Sequence, residues 1–165
     1  MSVRRVTVAF LLALVVSASA VSPAQAHHPS KQVIEFGFAN FGFAEDPGCP
    51  GGLISFDLLS PTGEPLGSGT SCVQSFEGCE PFVVGCKQRV HAIFTFAFSE
   101  GSVIVDATLK ERFISDTALE QRARGKVTGG TAAYANARGR LRGEGTLDFL
   151  AGTSTLVYTL RLRTE

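Results

Sequence analysis

Residues 125–145 have the sequence GKVTGGTAAYANARGRLRGEG, and their pattern is typical of a strand, a turn and a second strand. Two adjacent glycines, Gly129 and Gly130, provide backbone angles that other residues adopt poorly. The alanine-rich segment after them favours one short helical turn. From Arg138 onward, apolar and polar residues alternate as in a strand. The stretch therefore predicts a hairpin whose turn spans residues 129–137.

The same alternation recurs along the rest of the chain, and no segment has a sustained helical period. Turn-forming residues separate the alternating runs, for example Ser60-Pro61-Thr62-Gly63 and Ser99-Glu100-Gly101-Ser102. Long loops are expected at 44–52 and 74–86, and shorter ones at 114–120 and 151–153. Eight strands connected in this way predict an antiparallel barrel or a sandwich. The predicted strands are 32–43, 53–59, 66–73, 87–98, 103–113, 121–128, 138–150 and 154–163.

The first residues are typical of a secretory signal. Arg4 and Arg5 precede an apolar run, and Ala24-Gln25-Ala26 fits the small-residue cleavage rule. We therefore expect a signal peptide over 1–26 and a single domain over 27–165, with cleavage after Ala20 as the alternative. The apolar run is too short for a comfortable membrane span, so no membrane anchor is expected. The predicted localisation is extracellular.

Four cysteines follow the signal, and an even number in an exported chain predicts two disulfides. A zinc site is disfavoured because the sequence has no Cys-x-x-Cys pair. If the strands run up and down in order, all four cysteines lie at one rim. Spacing does not fix the connectivity: Cys49–Cys72 with Cys79–Cys86 is preferred, and Cys72–Cys86 with Cys49–Cys79 remains an alternative.

One face of the predicted strands is almost purely apolar. The opposite face carries charged residues such as Asp106, Arg122, Arg140 and Arg161. The apolar face should point into the barrel, where it either fills the lumen or surrounds a cavity for one small ligand. The lumen residues predicted to contact such a ligand are Phe36, Phe38, Phe56, Phe94, Phe96, Phe98 and Tyr158.

Few catalytic groups are predicted in the lumen. Tyr158 is the one clear hydroxyl, and Gln121 lies near a rim. Asp57 and Asp106 should be solvated on the outer face, as should His91. A copper site formed by His27 at a cleaved terminus with another histidine is a minor alternative to an ordinary polar tail. No metal, cofactor or catalytic residue is therefore assigned.

Bulk charge gives no reason to expect a nucleic-acid partner. The chain has 15 basic and 15 acidic residues, and losing Arg4 and Arg5 with the signal leaves 13 basic residues. The arginines between Arg122 and Arg142 are interrupted by glycines and have only Tyr134 as an aromatic neighbour. They are expected to form a solvated outer face or a subunit contact.

The 125–145 pattern, extended over Ala123 to Leu162, resembles the signature of dirigent proteins and the related allene oxide cyclases. This resemblance implies an eight-stranded antiparallel β-barrel, to which the four cysteines of this chain add disulfides at one rim. It also implies an apolar lumen and a homo-oligomer, either a dimer or, as is frequent in such relatives, a trimer. The matched residues imply a structural turn that closes the barrel: Gly129, Gly130, Thr131, Tyr134, Ala137, Arg138 and Gly139.

Three functions follow from this reading. The leading one is a non-catalytic barrel that binds a small hydrophobic or aromatic molecule. The second is a cyclase, isomerase or stereo-directing protein whose lumen guides the reaction, as the resemblance implies. The third is a structural secreted protein with a filled core. Inward-pointing polar side chains would favour the second.

Overall fold

The computed structural model describes residues 30–164, which form nine antiparallel strands and one short 3-10 helix. The long strands extend through regions where apolar and polar residues alternate, which is the pattern of a sheet with one buried face. The strands are β1 (Ser30–Asp46), β2 (Cys49–Leu59), β3 (Pro65–Gly78), β4 (Lys87–Phe98), β5 (Gly101–Phe113), β6 (Ala118–Gly130), β7 (Arg138–Asp148), β8 (Thr153–Ser154) and β9 (Val157–Thr164).

The sheet closes on itself. Strands β1 to β7 pair in sequence order, β7 pairs with β9, and β9 pairs with β1. The two-residue strand β8 adds to β7 outside this ring. Eight long strands thus form an antiparallel β-barrel, which confirms the predicted fold class and rules out the sandwich.

Several strands are longer than the sequence predicts. Strand β1 continues to Asp46 and β2 begins at Cys49, so the expected loop at 44–52 is a tight turn of Pro47 and Gly48. The Gly48 N–H donates to the Asp46 carboxylate at 2.7 Å, as in other aspartate-stabilised turns. Strand β3 likewise continues to Gly78, which shortens the predicted loop at 74–86. The residues that extend these strands resemble loop residues in the sequence, although they lie in paired strands.

The 129–137 turn contains the predicted helical turn, a 3-10 helix at Ala132–Tyr134. The reason proposed for its glycines is wrong, because the residue with a left-handed backbone is Ala132, at φ 49°. Gly130 lies in β6 and is needed for space instead. A Cβ atom there would overlap the carbonyl oxygens of Tyr134 and Ser102. Close backbone packing, rather than an unusual φ, explains this glycine.

Both disulfides join the pairs that the sequence analysis preferred, Cys49–Cys72 and Cys79–Cys86. No cysteine in residues 30–164 is free. Both bridges lie at the end of the barrel that carries the turns 47–48, 79–86, 114–117 and 149–156, which we call the disulfide rim. The opposite rim carries the turns 60–64, 99–100 and 131–137.

The predicted inner and outer faces are correct. Every residue of the predicted lumen set is buried or partly buried, and Phe36, Phe96 and Tyr158 are completely buried. The arginines at 122, 140 and 161 are exposed on the outside. Aromatic side chains pack across the lumen at the centre of the core, including Phe36 of β1 against Phe96 of β4 with ring centroids 4.9 Å apart.

Candidate functional site

The lumen is closed in one half and open in the other. Towards the opposite rim, Phe36 and Phe96 pack against each other, and Phe98 packs edge-on against Tyr134 of the 3-10 helix. Towards the disulfide rim lies a cavity of about 460 Å³. The filled core and the apolar cavity, which the sequence left as alternatives, therefore occupy different halves of the same barrel.

The cavity is lined mainly by apolar side chains. Three of the predicted lumen residues, Phe38, Phe56 and Phe94, lie on its wall. The other four predicted residues, Phe36, Phe96, Phe98 and Tyr158, are not on the wall and pack behind it in the closed half. The apolar wall is completed by residues that include Phe41, Val90, Leu109, Phe113, Leu147 and Phe149.

The lumen also contains a polar cluster, of which the sequence analysis predicted only Tyr158 and the rim residue Gln121. Gln88, Glu111 and Gln121 are direct cross-strand partners on β4, β5 and β6, so their side chains form one row across the inner face. All three line the cavity. The expectation that the lumen holds almost no polar group besides Tyr158 and Gln121 is therefore wrong, since Gln88, Glu111 and the buried Ser71 also line the cavity.

These side chains are joined by hydrogen bonds. The amide nitrogens of Gln88 and Gln121 donate to the two carboxyl oxygens of Glu111, at 2.6 and 2.7 Å. The Tyr158 hydroxyl donates to Gln121 Oε1. Gly143 on β7 lies opposite Tyr158 and leaves room for its ring, since a Cβ at 143 would lie 2.8 Å from the ring. Tyr158 thus supports the cluster from the closed half.

Burial changes the protonation of this cluster. Desolvation raises the pKa of the Glu111 carboxyl above its usual range, and the hydrogen bonds from Gln88 and Gln121 only partly oppose this effect. Burial, together with the nearby Glu111 charge, raises the pKa of the Tyr158 hydroxyl. Tyr158 therefore stays protonated as a hydrogen-bond donor, and Glu111 takes up a proton more readily than an exposed glutamate does.

One buried polar atom of the cluster has no partner among residues 30–164. It is Gln88 Oε1, which accepts no hydrogen bond. A buried acceptor left unpaired costs free energy, and such atoms in native proteins usually have a specific reason. Because Gln88 lines the cavity, a shift of its side chain would bring this oxygen within reach of a donor on a bound molecule.

The cavity opens at the disulfide rim between exposed aromatic side chains. Phe43 at the end of β1 is 70% exposed, Phe76 on β3 is 55% exposed and Phe82 in the 79–86 turn is 53% exposed. All three belong to the cavity wall. The Cys49–Cys72 and Cys79–Cys86 bridges fix the segments that carry these side chains. The disulfides therefore shape the mouth of the cavity.

The polar residues considered on the outer face stay there. His91 pairs with Asp106 at 2.9 Å, and Asp57 accepts a hydrogen bond from Asn40 at 2.7 Å. Within residues 30–164, no group of three or more His, Cys, Asp or Glu side chains is arranged to hold a metal ion. His27 and His28, like the predicted signal peptide at 1–26, lie outside the described residues. In the described part of the chain, no helix is long and apolar enough to cross a membrane.

Comparison with known proteins supports the fold. The sequence matches no protein-family model and shows no significant similarity to a curated protein. Among solved structures, the chain is similar to a pterocarpan synthase dirigent protein, with a TM-score of 0.50 and 16% sequence identity. The similarity covers 89% of this chain and 98% of that protein. Together with the closed ring of eight strands and the 125–145 hairpin, this similarity shows that the chain has the dirigent-like β-barrel fold.

Proposed function

We propose that the protein binds one small, mainly apolar molecule in the cavity at the disulfide rim. The observation that carries this proposal is the cavity itself, about 460 Å³ of mostly aromatic and aliphatic wall with a polar row at Gln88, Glu111 and Gln121 and the buried Ser71 hydroxyl. Sites for small molecules commonly combine an apolar wall with a few placed polar groups. The apolar wall supplies affinity, and the polar row orients the ligand.

The chemistry of the polar row defines the ligand further. Gln88 Oε1 needs a donor, which a hydroxyl group of the ligand would supply. Glu111 in its neutral form can donate a hydrogen bond to a ligand carbonyl or ether oxygen. An anionic ligand would bind poorly, because it would face the Glu111 carboxyl in an apolar wall. The preferred ligand is therefore neutral, ring-containing or hydrocarbon-rich, and hydroxylated.

We also infer that the chain is exported after removal of residues 1–26. Two disulfides are typical of oxidising compartments outside the cytosol, and the basic and apolar segments of the first residues support the same inference. A ligand-binding barrel in that setting would meet its ligand outside the cell.

Filling the cavity should abolish ligand binding. Ile54 lies on the cavity wall, so Ile54→Trp should lower the affinity for an apolar fluorescent dye at least tenfold. Val33 is 60% exposed on the outer face, and Val33→Trp adds the same ring without touching the cavity. Dye titration of the parent and the two variants, each checked by thermal melting, is the measurement. A parent that binds no dye, or an Ile54→Trp variant that binds it as well as the parent, would contradict the proposal.

Ligand affinity should fall as the pH rises through the raised pKa of Glu111. A bound apolar molecule displaces water from the carboxyl and so favours its neutral form. Binding therefore takes up a proton, and affinity is highest when Glu111 is already protonated. Glu111→Gln keeps the side-chain shape and should remove the pH dependence. Dye titrations from pH 4 to pH 9 test this, and an identical pH profile in parent and variant would exclude Glu111 as the titrating group.

A second candidate function is guidance of a cyclisation or coupling reaction within the lumen. It is favoured by the partly buried Glu111 carboxyl, which can give or accept a proton next to the cavity, and by the similar solved structure being a pterocarpan synthase. The two functions differ in the molecule that is recovered after incubation with the protein. A ligand recovered unchanged after incubation supports binding, whereas an isomer formed by the parent and not by Glu111→Gln supports catalysis.

A further inference from the structure

A strongly basic surface covers one side of the barrel, away from the cavity mouth. Eight exposed lysine and arginine side chains lie on the outer faces of β1, β6, β7 and β9, and we call this surface the basic face. The protein as a whole has equal numbers of basic and acidic residues, so the charge is concentrated here by the fold. The basic face consists of Lys31, Arg124, Lys126, Arg138, Arg140, Arg142, Arg161 and Arg163.

The strand register places these cations directly beside one another. Arg124 faces Arg142 across the β6–β7 ladder. One row further, Lys126 faces Arg140, which faces Arg161 on β9. In a third row, Arg163 lies between Arg138 and Lys31. The basic face therefore contains three rows of like-charged neighbours.

This clustering of cations does not stabilise the fold. Like charges directly opposite each other destabilise a sheet. The two ion pairs among residues 30–164 are His91–Asp106 and Arg112–Glu120, so no member of the basic face has a carboxylate partner there. By contrast, the cations Arg89, Lys110 and Arg122 form a row that is bounded by Glu77 on one side and Glu144 on the other. The basic face is less compensated: the one carboxylate directly opposite any of its cations is that of Asp106, across from Lys126, and it is bonded to His91.

We propose that the basic face binds a linear acidic polysaccharide through its carboxylates. Adjacent rows are roughly 7 Å apart along the strands, so three rows span roughly 13 Å, which suits an extended polyanion better than a single small anion. Six of the eight cations are arginines, whose planar donors bind carboxylates in pairs. A shallow depression of about 410 Å³ beside Arg124 and Arg142 gives room for a sugar ring.

Other partners fit this surface less well. Single-stranded nucleic acid would need exposed aromatic side chains for base stacking, and the large exposed apolar residues of the face are Val33 and Val157. A bilayer would favour apolar anchors beside the cations, but the exposed phenylalanines lie at the disulfide rim, at the other end of the barrel from Lys31, Arg138 and Arg163. A second copy docked symmetrically on this face would bring cations against cations.

Binding to polygalacturonate tests the proposal, with dextran, duplex DNA and phosphatidylserine vesicles measured in parallel. The full exported protein should bind polygalacturonate at 50 mM salt and not dextran, and the affinity should fall steeply as salt is raised. Arg140→Gln with Arg161→Gln should weaken binding at least tenfold. The matched control, Arg89→Gln with Lys110→Gln, removes the same charge from another cross-strand pair and should weaken it less than threefold.

Thermal melting separates lost binding from lost folding. Because Arg140→Gln with Arg161→Gln relieves repulsion, this double variant should melt no lower than the parent. No polygalacturonate binding by the parent, equal losses in the two double variants, or equal or tighter binding to DNA or vesicles would each overturn the proposal.

Discussion

Replacing Phe96 with aspartate should unfold the protein or lower its free energy of unfolding by at least about 4 kcal/mol. Phe96 is completely buried and packs against Phe36 and Phe94, with ring centroids 4.9 and 5.5 Å apart. The substitution removes these contacts and buries a carboxylate without a partner. Since Phe96 lies behind the cavity wall, dye binding should be lost together with the fold.

Arg140→Asp is the control for this prediction. Arg140 is exposed between Lys126 and Arg161, so an aspartate there replaces two repulsive contacts with two attractive ones. Its free energy of unfolding should equal or slightly exceed that of the parent, and its dye binding should be unchanged. Urea unfolding and dye titration of both variants are the measurements. A Phe96→Asp protein that unfolds at the parent's urea concentration would show that the inner and outer faces are assigned wrongly.

Removing the Cys49–Cys72 bridge should lower the free energy of unfolding by about 3 kcal/mol. The two cysteines are 23 residues apart, so their bond restricts a long loop in the unfolded chain. The double substitution Cys49→Ala with Cys72→Ala also frees the turn beside Phe43 at the cavity mouth. We therefore expect weaker dye binding in addition to the lost stability, as measured by urea unfolding and dye titration under non-reducing conditions.

The other bridge gives an internal comparison. Cys79 and Cys86 are seven residues apart, so removing both should cost about 2 kcal/mol, less than the first pair. The denatured parent should contain no free thiol before reduction. Four free thiols, or a larger loss from the Cys79–Cys86 pair than from Cys49–Cys72, would contradict this account of the disulfides.

Much of the fold could be predicted because a barrel strand alternates between two environments. The run Phe94, Phe96, Phe98 fixes the inner face of β4, and the charges around Arg140 and Arg142 fix the outer face of β7. Strand ends were harder to predict. Glu45 and Gly51 resemble loop residues, but both lie within strands, at the irregularity between the Ala44–Leu53 and Asp46–Cys49 pairs of the β1–β2 ladder.

Part of the polar row of the candidate site could also be predicted from this alternation. Leu109, Glu111 and Phe113 occupy alternate positions of β5, so alternation alone places the Glu111 side chain in the lumen. What alternation does not give is the register. Gln88, Glu111 and Gln121 meet because three strands are aligned at that level, and an irregularity between Ile104 and Val105 shifts the β5–β6 pairing. The site thus depends on long-range alignment that turn lengths and residue types leave open.

A crystal structure of the protein soaked with iodobenzene would show whether the cavity at the disulfide rim holds an aromatic ligand. Cavities with walls of this kind bind small aromatic molecules because the apolar side chains offer extensive van der Waals contact. We expect iodine density inside the barrel, between Phe38, Phe56 and Phe94 and near the Gln88–Glu111–Gln121 row. A lumen filled by its own side chains, or one filled with ordered water and no iodine, would contradict this expectation.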